Sequence, residues 1–144
     1  LLCPRELGIM GSPMQGVYVL VIELSWDLDI RIGSLGTRSF SAGKYVYIGS
    51  AQKGLDKRIK RHLEDSKKRF WHIDYFLTNA ATAVEKVFYK QAPKDLECET
   101  AAYLMQHGIP VWGFGSSDCR CKSHLLRISD RKIAGLLSDW SVYY

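Results

Sequence analysis

The longest apolar run, Val17 to Ile22, is of strand length and stops at Glu23, and its valines and isoleucine predict a strand over 16–24. Side chains alternate along a strand, so Tyr18, Leu20, Ile22 and Leu24 share one side. Ser25-Trp26-Asp27 connects to residues 28–33, which alternate apolar and polar as a second strand would. Gly33 to Thr37 has the composition of a hairpin turn, and Phe40 leads into a third strand over 43–49. There Tyr45 and Tyr47 face one way, and Val46 and Ile48 the other.

Beyond Gly54 the period changes. Leu55, Ile59 and Leu63 are spaced by four, a helical stripe. Arg58 and His62 share one face of that helix, with Arg61 beside them. Lys67 to Arg69 reads as a charged linker, and residues 70–77 as a buried, helical element in which His72 and Asp74 are a polar pair, read equally as a core hydrogen-bond pair or as part of the site. A strand follows over 82–89. A helix over 95–107, with Asp95 as N-cap, ends at Gly108. Residues 111–124 read as a loop, 124–128 as a last short strand and 130–140 as a terminal helix. Consecutive strands near the N-terminus predict antiparallel pairing. The fold class is α+β, a small central antiparallel sheet flanked by helices, with an extended insertion between the first and last sheet strands.

Composition narrows the class. A chain of 144 residues with 47% hydrophobic content suits one domain, here 16–144 after a Pro- and Gly-bearing tail over 1–15. No apolar stretch approaches a membrane span, and the N-terminal residues lack the order of a secretory signal, so the expectation is a cytoplasmic protein with no membrane partner. Four cysteines (Cys3, Cys98, Cys119 and Cys121) are too few for a disulfide scaffold. The formal net charge is +5. Lys53, Lys57, Arg58, Lys60, Arg61, Lys67, Lys68 and Arg69, against Asp56, Glu64 and Asp65, account for all of it. A patch this local suits a phosphate backbone; a solvated helix face is the plainer reading of the same charges.

Gly16-Val17-Tyr18 and Tyr47-Ile48-Gly49, followed by Arg58 and His62 on a helix, resemble the paired signature of the GIY-YIG nuclease superfamily. Gly49-Ser50-Ala51, Trp71-His72-Ile73-Asp74-Tyr75, Glu97-Cys98-Glu99 and Phe114 to Cys121 with Ser123-His124 are similar to a small prokaryotic branch of it. The likeness spans roughly 16–128. The resemblance implies a three-stranded antiparallel sheet with helices and a metal-dependent endonuclease that hydrolyses phosphodiester bonds, most readily in DNA. One departure stands out: 28 residues separate Tyr18 from Tyr47, where the superfamily has a short hairpin, and the extra segment is placed to add strands or narrow access to the site.

On this reading Tyr18, Tyr47, Arg58 and His62 are the catalytic set. Arg58 would grip a phosphate oxygen in its planar fork. One tyrosine would orient or deprotonate water, with Arg58 and a metal biasing its ordinary pKa of about 10 downward. The resemblance also implies one Mg²⁺ or Mn²⁺ held by a single glutamate. Glu97 and Glu99 both qualify. They point about 200° apart on a helix, and Ala101 and Leu104 continue the face of Glu97. Lys53, Lys57, Lys60, Arg61, Lys67, Lys68 and Arg69 are the nucleic-acid-binding candidates. Cys119, Cys121 and His124, with Cys98 or Cys3 as a fourth ligand, offer a structural zinc site, which ranks below a plain loop-forming role because the spacing is not that of a standard finger. The runner-up to the nuclease is a non-catalytic nucleic-acid-binding module of the same fold, and the third reading is a zinc- or redox-linked interaction protein.

Overall fold

A computed structural model describes residues 14–64, 68–116 and 119–144. Chain order is β1 (Gly16–Leu24), β2 (Leu28–Arg31), β3 (Thr37–Phe40), β4 (Gly43–Ala51), α1 (Leu55–Leu63), α2 (His72–Leu77), β5 (Thr82–Gln91), α3 (Asp95–Met105), β6 (Gly108–Pro110), β7 (Leu125–Ile128), α4 (Asp130–Leu136) and β8 (Ser141–Val142). Six strands form one antiparallel sheet in the order β6-β7-β4-β1-β5-β8, and β2 and β3 pair separately. The α+β class is as the strand pattern predicts. The sheet is wider than three strands because short segments extend both edges.

β1 is apolar on both sides because it lies inside the sheet with both faces covered. Its even-numbered residues, with Tyr45 and Tyr47 of β4, face Leu55 and Ile59 of α1 and Ile73 and Phe76 of α2. Val17, Val19, Val21, Val46 and Ile48 face Ala101 and Leu104 of α3 and Ile133 of α4. Leu55 and Ile59 have no exposed surface, and their burial contributes about 2 kcal/mol each. That anchoring fixes which face α1 turns to the sheet.

Several local expectations change. The helix over 95–107 stops at Met105, and Gly108–Pro110 leaves it to pair with β7. Asp95 lies in the first turn rather than at the cap, which is Lys94. The terminal helix ends at Leu136, and the two-residue β8 follows it. Of the expected tail, residues 1–13 lie outside the described residues, and Met14 is buried against the core. The long insertion folds as the β2–β3 hairpin. It packs Ile30 and Phe40 into the core, and Phe40 meets Phe76 at 5.0 Å between ring centroids. It contributes no residue to the cleft described next and therefore does not narrow it.

Candidate active site

The cleft opens where β1 begins and β4 ends, and encloses about 380 Å³. Tyr18, Tyr47, Arg58 and Glu97 line it, together with Ser50, Gln52, Phe70, Trp71, His72 and Lys94.

The two glycines of the paired tripeptides set its geometry. Tyr18 pairs across the strands with Gly49. A Cβ on Gly49 would stand 2.4 Å from the Tyr18 hydroxyl oxygen and 2.5 Å from its ring, so only glycine leaves room for the phenol. A Cβ on Gly16 would meet Leu55 at 2.7 Å and the Lys90 carbonyl at 2.8 Å, so glycine there lets α1 approach β1.

That approach delivers His62 to Tyr18. The Tyr18 hydroxyl and His62 Nε2 lie 2.6 Å apart in a buried hydrogen bond. The ring centroids of Tyr18 and Tyr47 are 6.5 Å apart, and those of Tyr47 and His62 are 6.1 Å apart. Arg58 donates from Nη1 to the Ser50 carbonyl at 2.8 Å, and its guanidinium lies 4.5 Å from the Trp71 ring centre. Arg58 pulls the Tyr18 phenol down by charge and hydrogen bond, but burial outweighs it and pushes the phenol well up. Burial, then Tyr18 and Glu97, push Tyr47 well up too. Both phenols are therefore held protonated.

Arg61 is already committed. Its fork spans both oxygens of buried Asp74 at 2.9 and 2.8 Å, and its plane lies 4.3 Å from the Trp71 ring centre, leaving Trp71 in contact with both arginines. Asp74 also accepts from the backbone N–H groups of Phe70 and Trp71, each at 2.8 Å. Burial raises the Asp74 pKa, but Arg61 and the two N–H donors outweigh it and hold the carboxyl below its ordinary value. The expected His72–Asp74 pair does not form, because His72 Nδ1 instead accepts from the Gly115 N–H at 2.9 Å. Lys53, Lys57, Lys60, Lys68 and Arg69 are exposed; Lys67 lies outside the described residues.

Of the two glutamates, Glu97 lines the cleft and Glu99 is exposed. Ser50 Oγ donates to Glu97 Oε1 at 2.5 Å, and His124 Nδ1 lies 2.8 Å from Oε2. Burial raises the Glu97 pKa, but these two partners outweigh it and keep it below the usual range. Behind Glu97, Cys98, Cys119, Cys121 and His124 bring their ligand atoms within 4.8 Å of one another, a Cys₃His set that could hold a metal such as zinc. The zinc-capable set ranked second for this loop is thus assembled, with Cys98 as its fourth member. The alternative fourth ligand Cys3 lies outside the described residues.

Ser50, Trp71, Phe70 and Lys94 were not among the predicted site residues. Ser50 directly follows the second tripeptide, and Lys94 precedes Glu97 by three residues, but neither carries a spacing signal of its own.

The fold and cleft define an α+β domain with a tyrosine–arginine–glutamate pocket at the end of an antiparallel sheet. The chain belongs to the family described as Domain of unknown function DUF123, whose profile matches residues 17–139. No curated protein and no solved structure matches it. Among the described residues no helix is long and apolar enough to cross a membrane.

Proposed function

We propose that the protein is a metal-dependent endonuclease of the GIY-YIG type that hydrolyses phosphodiester bonds in DNA. The observation that carries this reading is convergence: Tyr18, Tyr47, Arg58 and Glu97, from four different elements, line one cleft, with His62 bonded to Tyr18 behind it. Arg58, which lines the cleft with its guanidinium against Trp71, is the cation for a non-bridging phosphate oxygen. Phe70, 77% exposed at the cleft edge, offers a stacking surface for a base. Lys94 and the exposed lysines around α1 supply phosphate contacts.

The raised phenol pKa values bear on the base. With burial favouring its protonated form, the Tyr18 hydroxyl can pass its proton to His62 Nε2, 2.6 Å away, and accept one from water through the same oxygen. As the water oxygen bonds to phosphorus, its proton passes to Tyr18 while the Tyr18 proton passes to His62, which ends as the imidazolium; the opposite P–O ester bond breaks, and its oxygen leaves with the electron pair and takes a proton from solvent. Tyr47, held protonated, donates a hydrogen bond to the phosphate.

Glu97 fits a hard divalent cation. It is ionised, it lines the cleft, and each of its oxygens, with one hydrogen bond, keeps a second lone pair. Mg²⁺ or Mn²⁺ held there would supply positive charge against the developing phosphorane.

A second reading, a nucleic-acid-binding module without turnover, draws on the engagement of both Glu97 oxygens within the protein. A cleavage assay with Mg²⁺ or Mn²⁺ on single-stranded, duplex and branched DNA separates them. The nuclease reading expects metal-dependent cutting that falls about 10²–10³-fold in Arg58→Ala and is lost in Glu97→Ala. Salt-sensitive binding with no cutting on any substrate rejects it in favour of the module.

A further inference from the structure

We infer that Cys98, Cys119, Cys121 and His124 hold one structural zinc ion, and that the zinc-bound His124 fixes the orientation of Glu97.

The donor set comes first. Three thiol sulfurs and an imidazole nitrogen are soft-to-borderline ligands that select zinc over Mg²⁺ or Ca²⁺. Four protein ligands close a tetrahedron and leave no position for water, which marks a structural rather than a catalytic ion. The spacing agrees. Zn–S bonds near 2.3 Å and Zn–N bonds near 2.0 Å put tetrahedral ligand atoms about 3.5–3.8 Å apart. Cys119 Sγ lies 3.4 Å and Cys98 Sγ 4.0 Å from His124 Nε2, and all four ligand atoms fall within 4.8 Å. None of these three cysteines is in a disulfide.

The histidine's two nitrogens have different neighbours. Nε2 faces the thiols, while Nδ1 faces Glu97 Oε2 at 2.8 Å and the Ile48 carbonyl at 3.1 Å. A metal-binding histidine ordinarily donates its other N–H to a carboxylate or carbonyl, which sets its tautomer and ring orientation. Here both acceptors are in place. The ring is 2% exposed, and its backbone is pinned on both sides, with His124 N–H donating to Phe114 O at 2.8 Å and Ile48 N–H donating to His124 O at 2.9 Å.

The position in the chain supplies the purpose. Cys98 lies on α3, and the other three ligands lie in the loop that leads into β7. That loop is long for a compact domain, and its described residues form no helix or strand. One ion would tie it to α3. Glu97 and Cys98 are adjacent, about 100° apart around the helix, so one faces the cleft and the other faces the metal. The zinc centre stands apart from the nuclease reading; its consequence for the cleft rests on that reading.

The test begins with metal analysis of wild-type protein, purified without chelator and dialysed against buffer after exposure to ZnCl₂. About one zinc per chain is expected, with Cys98, Cys119 and Cys121 shielded from a thiol reagent until a strong chelator is added and the melting temperature lowered by that chelator. Cys121→Ser is expected to retain less than about a tenth of the zinc. Should that variant fail to fold, Glu97→Gln serves instead: it leaves all four ligands and is expected to weaken zinc about tenfold in competition with a chromophoric chelator. A purely packing role for Glu97 would leave zinc affinity unchanged and overturn the coupling. Wild-type protein that is folded but zinc-free after loading, or that forms a disulfide among these cysteines, overturns the centre. Zinc-loaded protein that cuts no DNA keeps the centre and rejects the nuclease; zinc-free protein that cuts with Mn²⁺ does the reverse.

Discussion

At the residue scale, a missing side chain shapes the site as much as any present one. The space opposite Tyr18 exists because residue 49 is glycine, and a methyl there would overlap the phenol. Gly49→Ala is expected to destabilise the fold by about 1–3 kcal/mol through overpacking, measured by urea unfolding. Combined with Tyr18→Ala, the loss should be far from additive, since truncating the phenol removes the clash. The residue identities were legible in advance. The tripeptides and the Arg58–His62 spacing pointed to side chains that do meet. The choice between Glu97 and Glu99 was not fixed until α3 had a rotation about its axis. The burial that raises both phenols was not legible: neighbouring cations can be anticipated from helix spacing, but desolvation depends on how completely two faces of a sheet are covered.

At the scale of elements, one carboxylate ties α2 to α1. Asp74 accepts from two backbone N–H groups at the start of α2 and from Arg61 of α1, tying two helices and the segment between them. Its pKa is depressed in the folded chain, while the unfolded value is near 3.9. Its stabilisation is therefore complete above the unfolded value and is lost as pH falls through the lower, folded one. Asp74→Asn should cost about 2 kcal/mol near neutral pH and flatten the fall of stability on acidification, as read by denaturant melts across pH. Arg61 was predicted to touch nucleic acid because its charge is visible in the sequence and its partner, thirteen residues on, is not. The long elements followed from period and capping. The three-residue β6 and two-residue β8 did not, since runs that short show no alternation and are recruited by the sheet edges they pair with.

At the scale of the molecule, the sheet divides the chain's work. One face carries α1 and α2 with the tyrosines, the other carries α3 and α4, and the cleft gathers Glu97 from the second layer to meet Arg58 from the first. Of the charge that concentrates between Lys53 and Arg69, Lys53, Lys57, Lys60, Lys68 and Arg69 are exposed, while Arg58 lines the cleft and Arg61 pairs with Asp74. Lys57→Ala with Lys60→Ala should weaken DNA binding about equally across sequences and reduce the slope of log affinity against log salt by about 2, measured by fluorescence anisotropy at several salt concentrations.

Trp71 gives this molecule a built-in optical probe. Its indole lies against the guanidinium groups of Arg58 and Arg61 and lines the cleft, so an anion that draws Arg58 away changes the field around the chromophore. With Trp26, Trp112 and Trp140 replaced by phenylalanine, emission would come from the one indole in the cleft. Ligand arrival could then be timed by its colour and intensity, without a label and without waiting for a bond to break.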